Sequence, residues 1–225
     1  MAPTPAEVRQ WKRDAQRAVR LATNALRGAK LQWENASSAG LDAANSLANN
    51  ILTTRYLPNM EWGVLSGMDG LQLQCEWKLR NRHQADMDAL AESLESLEGA
   101  MGKVTEANQT LSKLLEGPPW QSTIPVFISL SMSRICEILA SAEDMYIKEY
   151  EVRNAVVEGL RGILNEMESG EASTCRKPFK PQESGQPVLR DELQVLLAAW
   201  MCGLHFELEE AESSLGMLIN ETHAV

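Results

Sequence analysis

The residues best suited to proton transfer, nucleophilic attack or metal binding are three histidines and four cysteines, and their spacing supports none of those chemistries. His83, His205 and His223 are isolated from one another and from any nucleophile–base arrangement. His205, beside Phe206 on an expected helix, reads as a packed or solvated residue rather than a base. Cys75, Cys136, Cys175 and Cys202 are spaced by 61, 39 and 27 residues, with no C-x-x-C. Cys202-Gly-Leu-His205 is a lone C-x-x-H without the second pair that a zinc site needs. The reading is reduced thiols in a cytosolic or nuclear protein. Acidic residues are plentiful, but a carboxylate pair does acid–base work only where apolar enclosure splits its two pKa values, and no such enclosure is signalled. Phosphate-binding loops, H-E-x-x-H and G-x-S-x-G are absent. The expectation is a non-enzyme, with no catalytic, metal or cofactor-binding residues and no cofactor.

The elements that position these side chains are expected to be helices. Only 14 Gly and 9 Pro occur in 225 residues, fewer than a hairpin-rich fold uses at its turns. Those breakers concentrate at a few junctions. A first stretch runs from about Pro5 to Tyr56 and stops at Leu57-Pro58. A Gly-rich connection covers 58–70. A second stretch runs from about Leu71 to Glu116, where Gly117-Pro118-Pro119 ends it. The third is expected to begin after Ser122-Thr123, taken as N-caps with Pro125 in the first turn, and to reach about Glu168. Residues 169–188, with Pro178, Pro181, Pro187 and Arg176-Lys177, read as a flexible linker, and a fourth stretch occupies Leu189 to about Thr222. The whole is expected to be one helical domain: an all-α, extended antiparallel bundle or pair of coiled-coil hairpins, divided at 1–57, 58–70, 71–168, 169–188 and 189–225. No signal peptide and no membrane span are expected. The Asn35, Asn108 and Asn220 glycosylation triplets then read as chance matches.

The second stretch carries the clearest period. Met87, Leu90, Leu94, Leu97, Met101, Val104, Asn108, Leu111 and Leu115 alternate spacings of three and four over four heptads. Asn108 is its one polar member, a residue type that fixes register. Glu92, Glu95, Glu98 and Glu106 flank the seam against Lys103 and Lys113, so two copies would repel. A basic or mixed helix is therefore the expected partner, the chain's own basic first helix being a natural complement; a hetero-oligomer is favoured over a homodimer, and Leu97→Asp is expected to abolish partner binding in a chain that stays helical. Looser stripes follow in the third stretch (Ile138, Ala142, Met145, Val152, Val156, Leu160, Ile163, Met167, with Glu149 in a gap). The fourth carries Leu193, Leu197, Trp200, Leu204, Leu208, Ala211, Leu215 and Leu218. All read as core.

Charge is divided unevenly. The net −10 splits into +5 over residues 1–30 and −15 over the rest, with −7 in residues 191–225. The basic start has Val8, Trp11, Ala15 and Val19 on one side, and pairing with this chain's own acidic helices or a protein partner is its expected role. Nucleic acid is disfavoured, because only Trp11 offers a stacking ring there.

The segment Trp33–Asn49 is unusual. On a helix, Trp33, Gly40, Ala44, Leu47 and Ile51 form one stripe, large at its ends and small in the middle, suited to the close approach of another helix. Glu34, Leu41, Asn45 and Asn49 form an adjoining stripe with two amides and a carboxylate. The block fits the pattern W-E-x4-A-G-[FL]-x2-A-N-x-[IL]-A-N at Trp33, Glu34, Ala39, Gly40, Leu41, Ala44, Asn45, Leu47, Ala48 and Asn49. In this it resembles the cyclin-dependent kinase 2-interacting protein family. Weaker similarity continues in order through Glu116–Gln121 with Trp120, Lys148–Leu160, and Leu196, Leu197, Trp200, Leu204 and Glu209. The basic start from Pro3 to Lys30 and the connection 58–70 depart from the family pattern.

The resemblance implies a mostly nuclear, non-enzymatic adaptor that pairs with another small helical subunit on an AAA-type ATPase unfoldase, in replisome and ribosome-precursor maintenance. An alternative is an adaptor for cyclin-dependent and Cdc7-type kinases and the ATR checkpoint; a third is a homodimeric coiled-coil tether. The cyclin-docking match Lys113-Leu114-Leu115 falls inside the heptad helix, which argues against a cyclin contact there. The residues expected to serve helix packing or partner binding are those of the block together with Leu90, Leu94, Leu97, Met101, Val104, Asn108, Leu111 and Trp200.

Overall fold

A capping box opens the first helix. The Thr4 hydroxyl accepts the Glu7 amide (3.3 Å) while the Glu7 carboxylate accepts the Thr4 amide (2.7 Å), with Pro5 at the first helical position. The computed structural model describes residues 3–169, 189–205 and 216–222. The protein is all-α: among the described residues the only β-type pairing is an isolated bridge between Pro125 and Ser131. The helices are α1 (Pro5–Tyr56), α2 (Leu71–Ser112), α3 (Pro119–Thr123), α4 (Met132–Ser169), α5 (Leu189–Cys202) and α6 (216–222). Short 3₁₀ turns at Leu57–Asn59 and Gly63–Gly67 lie between α1 and α2, and another at Lys113–Glu116 tightens the end of α2. Among the described residues no helix is long and apolar enough to cross a membrane.

Two boundaries differ from expectation. Ser122 and Thr123 do not start the third long helix; their hydroxyls donate to the Pro119 and Trp120 carbonyls and close the short α3. Pro125 disfavours helical backbone at Ile124, which is extended (ψ 132°). The chain then loops through 124–131, and Ser131 is the working cap: its hydroxyl accepts the Arg134 amide at 3.3 Å. The fourth stretch is also shorter, because Gly203 takes φ +56° and ends α5 at Cys202. Leu204, expected in the core, is therefore exposed. The linker reading lies outside the described residues apart from Ser169, the last residue of α4, as do Leu208, Ala211 and Leu215.

The chain divides into two compact units. The first comprises Met1–Asn35, Ser96–Tyr150 and Leu204–Val225. Its core gathers Ala15 and Val19 of α1, Leu97, Val104 and Leu111 of α2, Ile135 and Leu139 of α4, and Leu218 of α6. Loop 124–131 is clipped to α1 in this unit. Lys12 Nζ and Gln16 Nε2 donate to the carbonyls of Phe127 (3.3 Å) and Val126 (2.8 Å), and the Arg20 guanidinium lies 5.8 Å from the Phe127 ring. The basic start of α1 thus spends part of its charge within its own unit, while Arg9, Arg13 and Arg17 face solvent. The second unit comprises Ala36–Glu95 and Glu151–Gly203, with Ala44, Leu47, Ile51, Leu90, Leu160, Leu193 and Trp200 buried. Here α1 and α2 run antiparallel, joined by Ser93 Oγ to the Ala36 carbonyl (2.7 Å), Asn50 to Asp86 (2.7 Å) and Thr54 to His83 (3.3 Å).

In the first unit α6 is held by one carboxylate. Glu221 accepts the amides of Ser129 (3.0 Å), Ile128 and Leu130 (both 3.3 Å) and the Ser129 hydroxyl. Partial burial pushes its pKa up, but these donors pull it down further, and the net shift is below the ordinary 4.5. A lowered carboxylate pKa stabilises the folded form above the ordinary value and loses that contribution as pH falls through the shifted one. Protection of the 216–222 amides, measured relative to their intrinsic exchange rates at each pH, is therefore expected to fall below about pH 4.5, with Glu221→Gln removing most of that dependence.

Candidate functional site

The Trp33–Asn49 block is divided along its length between core and surface. In the second unit, Gly40 of α1 faces the indole of Trp200 and the Ser93 hydroxyl; a Cβ at Gly40 would collide with the ring and lie 2.5 Å from Ser93 Oγ. Trp200 is 1% exposed, and its Nε1 donates to the Ser37 carbonyl at 3.0 Å. The Arg153 guanidinium, itself buried, sits 5.6 Å from the same ring, an attractive cation–π distance. Gly40 therefore tolerates its helix-propensity cost of about 1 kcal/mol because no larger residue admits Trp200. Ala44 and Leu47 extend the buried stripe, and Leu41 is half-buried beside it. In the first unit Trp33 is buried against Tyr146, edge to face at 4.8 Å. Burial, with the Glu34 charge second, pushes the Tyr146 phenol up to about 12. Glu34, Asn45 and Asn49 are exposed; Glu34 pairs with Lys30 at 3.8 Å.

The heptad seam is core of this chain. Leu90, Leu97, Val104 and Leu111 are fully buried, and Leu94, Met101 and Leu115 half-buried, without any second molecule. Asn108 donates to the Glu143 carboxylate of α4, and Gln32 of α1 donates to the Ser96 carbonyl at 2.8 Å and accepts from Lys103 at 2.6 Å. The complementary helices are thus the chain's own α1, to which charge pointed, and α4. The period correctly marked a buried face, but a period carries no information about which chain covers it. The expectation for Leu97→Asp changes accordingly. Lys113-Leu114-Leu115 lies in the closing 3₁₀ turn with both leucines half-buried.

Several contributors have no obvious sequence signal. Glu149, read as a gap in the α4 stripe, is 0% exposed and accepts the His205 amide at 3.1 Å. It thereby caps the chain after Gly203. Arg153 follows one helical turn later. Two charged residues interrupting an apolar stripe could have suggested a buried polar site, but not its partners. Two of the reactive groups lie in the core, while the Cys202 thiol is free and exposed. His83 is buried against Thr54, and burial, then the Glu137 charge, pushes the Cys136 thiol up to about 11, which keeps it protonated at neutral pH. Among the described residues no cluster of three His, Cys, Asp or Glu side chains is arranged to hold a metal.

Seven of the exposed large apolar side chains (Tyr56, Met60, Val64, Leu65, Met68, Leu73 and Trp77) fall in the segment between the end of α1 and the first turns of α2, which sequence reasoning passed over as a plain connection. Its signal was the density of large apolar residues among the glycines of 58–70. No protein-family model matches the chain, and no curated protein matches it. The resemblance to the kinase-interacting family therefore rests on its own residues.

Proposed function

We propose that this chain is a non-enzymatic helical adaptor subunit that joins a second helical protein and, with it, an AAA-type ATPase unfoldase serving DNA replication and ribosome maturation, chiefly in the nucleus. What supports the reading is the Trp33–Asn49 pattern, and one observation carries it. Glu34, Ala39, Asn45 and Asn49 belong to that pattern yet face solvent. Packing explains Trp33, Gly40, Ala44, Leu47 and Ala48, which are buried; it does not demand two asparagines one turn apart on a wet helix face. We read them as contacts for a partner.

The test is purification of the tagged full chain from cells with quantitative mass spectrometry. AAA ATPase subunits and a small helical protein are expected in near-stoichiometric amounts. Asn45→Lys with Asn49→Lys is expected to cut both by at least ~10-fold, equivalent to about 1.4 kcal/mol, with unchanged helical circular dichroism. Cyclin-dependent kinase recovered without ATPase would overturn the proposal in favour of the kinase adaptor.

A further inference from the structure

We infer that the solvent face at the start of α1, from Arg9 to Leu31, is a docking surface for an acidic amphipathic helix of a partner protein. The inference does not depend on the ATPase reading; it stands on charge and exposure in the first unit. Arg9, Arg13, Arg17 and Arg20 are exposed and recur every three or four residues. On a helix they form one row, with steps of about 4.5–6 Å along the axis. Among the described residues none of the four has a carboxylate within ion-pair distance. Arg13 donates to Gln10 at 2.9 Å, and Arg20 lies near the Phe127 ring. The same face continues into apolar groups: Leu21 is 62% exposed and Leu31 60%. Between them Gly28 has nothing within 4 Å of where a Cβ would stand, so another helix can come close there.

Charge selects the occupant. Residues 1–33 carry a net +5, with Glu7 and Asp14 the acids among them. Both are engaged locally, Glu7 with Thr4 and Asp14 with Gln10 (3.0 Å). The flanking elements do not cancel the field. Residues 117–133, which cover α3 and the loop clipped to α1, contain no charged side chain. Over 99–116 of α2, Lys103 and Lys113 balance Glu106 and Glu116. On α4, Glu137 pairs with Arg134, Asp144 with Lys148, and Glu143 accepts from Asn108. Glu221 of α6 is taken up by the amides of 128–130. A row of guanidiniums at helical spacing meets carboxylates at the same spacing on a second helix, and the leucines meet its apolar side. Nucleic acid would answer the arginines alone. The aromatic rings of this stretch, Trp11 and Trp33, are buried and offer no base a platform. A bilayer needs a continuous apolar face, and the one α1 has here, through Ala15, Val19 and Leu26, is buried in its own unit. A protein helix bearing both carboxylates and apolar residues satisfies both halves of the surface.

The test uses the full chain and a fluorescent Leu/Glu amphipathic helical peptide, with its Leu/Lys twin as control, followed by anisotropy. The Leu/Glu peptide is expected to bind, and to bind more weakly as salt rises. Arg9→Gln with Arg13→Gln and Arg17→Gln, all at exposed positions, is expected to weaken that binding by at least ~10-fold. Circular dichroism and any binding of the twin are expected to be undiminished. Leu21→Gln with Leu31→Gln is expected to weaken Leu/Glu binding by at least ~3-fold. No binding of the Leu/Glu peptide, or undiminished binding by either variant, overturns the inference. So does tighter binding of a DNA duplex or of phosphatidylserine vesicles that the arginine triple abolishes. Self-association of the native chain that the triple abolishes would assign the face to a second copy and overturn it. Binding that appears only after Glu207, Glu209, Glu210 and Glu212 are changed to Gln would assign it to this chain's own acidic segment, with the same consequence.

Discussion

Leu97→Asp is expected to unfold the first unit rather than to disable a surface. Leu97 is fully buried in the α2 seam. Losing its side chain costs about 2–5 kcal/mol from transfer and cavity terms. Placing a carboxylate there without a partner adds several more, through desolvation or through the work of protonating it. Together these approach the whole stability of a typical domain, about 5–15 kcal/mol. The expected result is loss of the cooperative urea transition and a large fall in helical circular dichroism at 25 °C. Glu98→Lys, at the next and exposed position, is the matched control and is expected to change stability by no more than about 0.5 kcal/mol. A Leu97→Asp chain that remained fully helical and cooperative would return the seam to an intermolecular role.

The second large effect concerns the fit of Trp200 against Gly40. Trp200→Ala is expected to cost about 3–5 kcal/mol, because the indole is buried and holds both the Ser37 carbonyl and the Arg153 guanidinium. Gly40→Ala runs against helix propensity. The substitution should gain about 1 kcal/mol in an open helix, yet the Cβ collides with the ring, and overpacking costs about 1–3 kcal/mol or more. A net loss of about 1–2 kcal/mol is expected. In the Trp200→Ala background the ring, which supplies two of the three nearest atoms to the new methyl, is gone, so the loss should fall to less than half. A double-mutant cycle by urea denaturation reads that coupling directly. Equal costs of Gly40→Ala in both backgrounds would mean that the two residues do not meet.

These two sites also show what was legible before the structure. The bounds of α1 follow from Pro5 and Pro58, and the 3–4 spacing of Met87 to Leu115 marks a buried stripe without ambiguity. Both are local signals carried by backbone restriction and helical period. The partner of that stripe was legible only in part: the acidic flanks of α2 disfavour a second α2 and point to the basic α1 of the same chain, but nothing local points to α4. The small middle of the Trp33–Ile51 stripe announced a close approach. That the approaching group is Trp200, at the far end of the chain, is a long-range fact that no local pattern contains. Ser122 and Thr123 misled for a comparable reason. A hydroxyl beside a helix boundary suits either end, and here it returns to the carbonyls behind it while Ser131 caps the helix ahead. Glu149 was visible as an interruption, but an interruption looks the same whether the carboxylate is solvated or sealed in.

The central claim is that the heptad face is consumed within the chain, buried against α1 and α4. Hydrogen exchange on the purified chain alone tests it most directly. Amides across residues 87–111 are expected to exchange only with global unfolding, at a rate independent of protein concentration, while those of 58–68 exchange quickly. Rapid exchange across 87–111 that slows only when a partner protein is added would contradict the account.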